Sequence, residues 1–89
     1  MSGFVSGTIY VTVGVRELMN DETHSVIPLV GRHLNQDWGD VCEEDKQSNN
    51  QALINGGRLL SSYKLGEETI WIITEADRSA TTILLPSEY

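Results

Sequence analysis

LLSSYKLGEETIWIITEADRSATTILLP, residues 59–86, decides the fold. Three runs rich in β-branched and aromatic residues are parted by Gly66-Glu67 and by Glu75-Ala76-Asp77-Arg78-Ser79, and Pro86 ends the last run. That pattern reads as a three-strand meander over residues 59–65, 69–75 and 81–85. Ile70, Trp71, Ile72 and Ile73 are apolar on both faces, so the middle strand is expected to be central and Trp71 to lie in the core.

Working toward the N-terminus, Gly56 and Gly57 mark a helix end, since glycine takes the left-handed C′ conformation without steric cost. The helix they end runs back to about Asp40. Asp40 and Glu43 have the spacing of a capping box, and Glu43, Glu44 and Asp45 fall where the helix dipole favours negative charge. Its body is polar, with Ala52, Leu53 and Cys42 or Ile54 to face a core. Before it, Val26, Leu29, Val30, His33 and Leu34 follow amphipathic helical spacing from Ser25, with Pro28 tolerated in the first turn and Gly39 as the stop. A short helical turn is expected over residues 15–20. Farther back, Thr8 to Val13 alternate, with Ile9, Val11 and Val13 expected to form one buried face. The result is one small α+β domain over residues 1–89: an approximately four-stranded antiparallel sheet in β-α-α-β-β-β order, with two to three helices packed on it.

Composition narrows the function. Six Lys and Arg stand against 13 Asp and Glu in 89 residues, a formal charge of −7, and the cations are scattered. A nucleic-acid binder clusters cations against phosphates, so direct DNA or RNA binding is disfavoured and a protein partner with a basic surface is favoured. No apolar run reaches the ~20 residues of a membrane span, and residues 1–7 lack a secretory pattern, so no membrane association and a cytoplasmic location are expected. One cysteine, Cys42, allows no internal disulfide and reads as a small apolar residue.

Four features could carry function. Asp37, Asp40, Glu43, Glu44 and Asp45 could hold a divalent metal or imitate a phosphate track; they also suit a capped, solvated helix start. His24 and His33 are nine residues apart, off the spacing that brings two imidazoles to one metal; His33 suits a core and His24 a loop. In the turn before the last strand, Arg78 could bind carboxylate or phosphate, or Asp77 could cap backbone N–H groups beside it. Trp38 could anchor a partner or cover its helix end. Phosphate-loop, dinucleotide, nucleophile-elbow and zinc-protease motifs are absent, so no cofactor, metal or catalytic residue is assigned.

Asp37-Trp38-Gly39-Asp40, then Asn50, Ala52, Leu53, Gly57, Arg58, Leu59, Ser61 or Ser62 and Tyr63, and then the tail over residues 71–89, occur together. This combination resembles small accessory proteins of bacterial plasmids and integrating conjugative elements, called plasmid-related proteins and sometimes labelled subunit M of type I restriction enzymes. A methyltransferase subunit needs a cofactor-binding domain several times longer, with a glycine loop that this sequence lacks. The resemblance implies an accessory gene of mobile DNA. Small acidic proteins of such elements are similar in size and charge to anti-CRISPR and anti-restriction inhibitors. The expected function is therefore a non-catalytic protein-binding module, an inhibitor of a host defence complex, using Asp37, Trp38, Asp40, Glu43, Glu44, Asp45, Asp77 and Arg78, with Glu67, Glu68 and Tyr63 in support. The alternatives are a metal-dependent hydrolase or nuclease using the Asp37 to Asp45 carboxylates with His33, and an antitoxin-like homodimer.

Overall fold

The computed structural model describes residues 4–19 and 25–89. The elements run β1 (Thr8–Val11), α1 (Val13–Met19), α2 (Ile27–Leu34), α3 (Glu43–Asn55), β2 (Leu59–Leu65), β3 (Glu68–Thr74), β4 (Ala80–Leu84) and a 3₁₀ turn at Pro86–Glu88. The expected turn at residues 20–22 and the loop position of His24 lie outside the described residues.

The α+β class and the four strands are as read, and the sheet order is β1-β4-β3-β2. The all-antiparallel expectation is corrected: β2, β3 and β4 form the antiparallel meander, whereas β1 pairs with β4 in parallel. The cause is where the N-terminal segment is held. Thr81 Oγ1 donates to Ser6 O at 2.7 Å and Thr8 N–H donates to Ser79 O at 3.0 Å, so the chain enters beside the start of β4 and runs with it. Gly7 makes that entry possible at φ +64, with the Arg78 and Ser79 backbone lying where a Cβ would stand.

This edge position also overturns the buried face predicted for β1. Ile9 is 45% and Val13 68% exposed, and Val13 already belongs to α1; only Val11 packs partly against the core. Residues 8–11 are therefore a strand at the margin of the sheet, with one neighbour and an inner face that the helices cover only at Val11.

The helices cover one face of the sheet. Val15, Val26, Tyr63, Leu65, Ile70, Ile72 and Ile83 form the main core beneath α1 and α2, and Trp38, Ala52 and Leu59 form a second cluster beneath α3. Among the described residues the opposite face carries no α-helix: Leu60, Trp71, Ile73, Thr82 and Leu84 share it by register, and Tyr89, after the 3₁₀ turn, lies over Trp71 with ring centroids 5.7 Å apart. Trp71, expected in the core, is thus half-buried under Tyr89, whereas Trp38, at 5% exposed, is the buried tryptophan, in line with the second of its two sequence readings.

Between the two apolar clusters runs a buried polar chain whose proton order the geometry fixes. Thr81 spends its one hydroxyl proton on Ser6 O, so it accepts from Thr74 Oγ1 at 2.8 Å; Thr74 in turn accepts from His33 Nε2 at 2.9 Å. His33 is therefore the Nε2–H tautomer, and its Nδ1 accepts from Ser61 Oγ at 2.5 Å. The chain links β2, β3, β4 and the segment entering β1. Burial pushes the His33 pKa down from 6.5 to about 4.

Candidate interaction surface

Asp37-Trp38-Gly39-Asp40 turns the chain from α2 into α3, and it splits its own side chains between interior and solvent. Helix α2 stops at Leu34, with Gln36 at φ 68 making the left-handed step expected of Gly39. Arg32 returns along the helix end to clamp Asp37, Nε to Oδ2 at 2.7 Å and Nη2 to Oδ1 at 3.3 Å, while its guanidinium lies 4.7 Å from the Tyr63 ring centroid. The guanidinium hydrogen bonds hold the Asp37 carboxyl below the usual carboxylate range. Tyr63 donates its hydroxyl proton to Asp37 O and is itself 1% exposed, so it is core and not the apolar anchor expected from sequence.

Gly39 then forms a parallel bridge to Ser62: Ser62 N–H donates to Trp38 O at 3.1 Å and Asp40 N–H donates to Ser62 O at 2.7 Å. At φ +74, a Cβ on residue 39 would meet Ser62 O and the Tyr63 ring. Trp38 points inward, its Nε1 donating to Asn50 Oδ1 at 3.3 Å and its ring stacked near Phe4, 6.3 Å between centroids. It cannot anchor a partner from there.

The capping box expected of Asp40 and Glu43 does not form. The Asp40 backbone is engaged by β2, α3 begins only at Glu43, and its N-cap is Cys42, which makes no side-chain cap bond. Cys42 is exposed, in contrast to its expected apolar role. Asp40, Glu43, Glu44 and Asp45 are all exposed, and none forms a salt bridge among the described residues. Along the same helix, Glu44, Gln47, Ser48, Asn50 and Gln51 line a shallow polar groove.

The other candidates lie elsewhere. Asp77 Oδ1 accepts from Ser79 N–H at 3.0 Å, and hydrogen bonds from Ser79 hold its carboxyl below the usual range. Arg78, at φ 61, turns inward: Nη1 donates to Gly57 O at 2.6 Å and to Glu75 O at 3.1 Å, and Nη2 to Ala52 O at 3.1 Å. Its positive charge satisfies carbonyls at the C-terminal end of α3, where the helix dipole is negative, and is not offered to a ligand. Because α3 has 13 residues, its two ends are about 20 Å apart. Asp77 and Arg78 therefore do not join the Asp40 to Asp45 carboxylates in one site.

Sequence reasoning missed two features. One is a hollow of about 260 Å³ on the helix-free sheet face, lined by Arg58, Leu60, Trp71, Ile73 and Tyr89, with Arg58 Nη1 donating to Tyr89 Oη at 2.9 Å. No local signal marks it, because it forms only when the C-terminal residue folds over β3. The other is Asn49, whose side-chain amide pairs with the Leu60 backbone, Nδ2 to O at 2.8 Å and Oδ1 from N–H at 3.0 Å. A buried Asn within an otherwise polar helix gave no sign of that task.

Among the described residues, no group of three His, Cys, Asp or Glu side chains could hold a metal ion, and no helix is long and apolar enough to cross a membrane. The Ser61–His33 pair has the contact of a nucleophile and base, yet both residues are 0% exposed, so no substrate reaches that hydroxyl. No protein-family model, curated protein or solved structure matches the chain.

Proposed function

We propose that the chain is a non-catalytic protein-binding module of bacterial mobile DNA, which docks the acidic start of α3 on a basic surface of a host defence complex that handles nucleic acid. The observation that carries this reading is the ridge of Asp40, Glu43, Glu44 and Asp45: exposed, adjacent, and engaged in no salt bridge among the described residues, on a chain of formal charge −7. Such a surface steers a positively charged partner and rejects nucleic acid. The mobile-element origin rests on the resemblance carried by residues 37–40, by Asn50 through Tyr63 and by residues 71–89.

The hydrolase alternative has less support. His33 is enclosed by hydroxyls, and the nearby carboxylates point to solvent. The test is affinity capture with the tagged protein from a bacterial host lysate, beside a variant carrying Glu43→Lys, Glu44→Lys and Asp45→Lys. The expected result is a basic, nucleic-acid-processing partner that is eluted by salt and lost with the variant. Recovery of no such partner, or equal recovery by both proteins, overturns the reading.

A further inference from the structure

Of the seven large hydrophobic side chains exposed among the described residues, Val5, Ile9, Tyr10 and Val13 fall within nine consecutive residues. Those nine, residues 5–13, contain no charged side chain, on a chain with 13 acids. They include β1, which ends the sheet. Thr8 N–H reaches Ser79 O and Thr12 N–H reaches Ile83 O, both at 3.0 Å, so the even-numbered residues address β4. Alternation then turns the N–H and C=O groups of Ile9 and Val11 outward. Neither residue's outward groups have a partner among the described residues. The usual protections of a bare edge, a lysine, a proline or a bulge, are absent from Thr8–Val11.

We infer that β1 is the self-association edge of this protein, and that a second copy of the chain pairs with it antiparallel about a two-fold axis at Tyr10. The occupant follows from charge and register. Two chains of formal charge −7 repel across most of their surfaces, and residues 5–13 offer an exposed sheet edge where like charges would not meet. A partner selected for basic charge finds no acid here to recognise. With the axis at Tyr10, Ile9 of each copy faces Val11 of the other as a hydrogen-bonded pair. All the outward N–H and C=O groups of both residues are then satisfied at once. The two Tyr10 rings stand side by side in the non-hydrogen-bonded position, on the helix-free face, and the sheet becomes continuous across eight strands. This inference is independent of the α3 docking reading, since it uses the opposite edge of the sheet.

Sedimentation equilibrium across a concentration series tests it. The expected mass rises to roughly twice 9.9 kDa, and association tightens several-fold from about 0.01 M to about 1 M salt as the Debye length shrinks from about 30 to about 3 Å. Ile9→Pro removes an outward N–H and no bond to β4, so it should give a monomer with unchanged far-UV circular dichroism; Tyr10→Lys should do the same should the proline variant fail to fold. Register is read by cross-linking in a Cys42→Ser background. Tyr10→Cys places the two Cα atoms about 4.5 Å apart, inside the disulfide range of about 4.4–6.8 Å, and should form covalent dimers under mild oxidation. Thr8→Cys, offset by four residues or about 13 Å, should not. A wild-type mass that stays monomeric at every concentration and salt, dimers that persist in Tyr10→Lys, or equal cross-linking of Thr8→Cys and Tyr10→Cys overturns the proposal.

Discussion

The two edges of this sheet are managed in opposite ways. At β2, Leu60 has both backbone groups taken by the Asn49 amide, and Ser62 has both taken by the backbone of Trp38 and Asp40. The margin is closed by atoms of the same chain, beneath α3. At β1, the outward groups of Ile9 and Val11 meet nothing among the described residues, and apolar side chains flank them. Residues that look like a docking motif in sequence, Trp38 and Gly39, serve as edge protection; residues that look like ordinary core, Ile9 and Val13, are the exposed ones. Whether a polar or apolar residue is available to a partner depends on which edge it borders, a property that spacing along the chain does not carry.

The largest effect should come from breaking the closed edge at its tightest point. Gly39→Ala forces a left-handed conformation on alanine and drives its Cβ into Ser62 O and the Tyr63 ring, so the bridge to β2 cannot persist. Left-handed strain together with two lost edge bonds amounts to about 3 to 5 kcal/mol. Urea unfolding should register the loss, with the amides of Asp40 and Ser62 losing exchange protection first. An alanine variant within about 1 kcal/mol of wild type would mean that the bridge is incidental.

Acid should act next, through the polar chain that ties the two edges together. His33 is neutral in the folded state, with its pKa lowered from 6.5 to about 4 by burial. Between those values the unfolded chain binds the extra proton, so stability is complete above about pH 6.5 and falls as pH drops toward 4, by about 3 kcal/mol in all. Protonated Nδ1 can no longer accept from Ser61, and the ordered run of donors ending at Ser6 is disrupted. Asp37, Asp77 and Glu88, whose carboxyls are held below the usual range, lose their contribution only at still lower pH. Urea midpoints in steps from pH 7 to 4, with an NMR titration of the His33 ring, separate the two; a folded His33 titrating near 6.5 rejects the account.

Removing the side-chain half of the closed edge is milder. Asn49→Leu keeps the branched shape but leaves the Leu60 N–H and C=O facing an apolar group, at a cost of about 2 kcal/mol. The same denaturation measurement reads it. The comparison sharpens if the variant also gains concentration-dependent association, since β2 would then present a second bare edge.

The meander was legible because each of its strands is defined by local pattern: Gly66 and the residue 75–79 turn punctuate runs whose alternation survives in the burial of Leu59, Ser61, Tyr63 and Leu65. Helix α3 was legible from its glycine stop. The parallel placement of β1 was not, because it depends on contacts between Ser6 and Thr81, 75 residues apart. The candidate site was half legible. Sequence placed Glu43, Glu44 and Asp45 correctly in an exposed first turn, but it could not see that Asp37 is clamped by Arg32, that Trp38 is buried, or that Arg78 serves α3. Each of those outcomes is decided by a partner from another element.

The smallest effect strengthens the closed edge instead of breaking it. Cys42 already has the extended backbone of an N-cap, φ −70 and ψ 167, and lacks only a side-chain acceptor for the free N–H groups of the first turn. Cys42→Ser supplies one and should stabilise the protein by about 0.5 to 1 kcal/mol. Aspartate is ordinarily as good a cap and suits the helix dipole better, yet here it would join Glu43, Glu44 and Asp45 at the crowded acidic start, so Cys42→Asp should gain less than Cys42→Ser at low salt and approach it as salt rises. If aspartate wins at low salt, those carboxylates do not repel one another enough to define a ridge, and the surface assigned to a basic partner would have to be sought elsewhere on the chain.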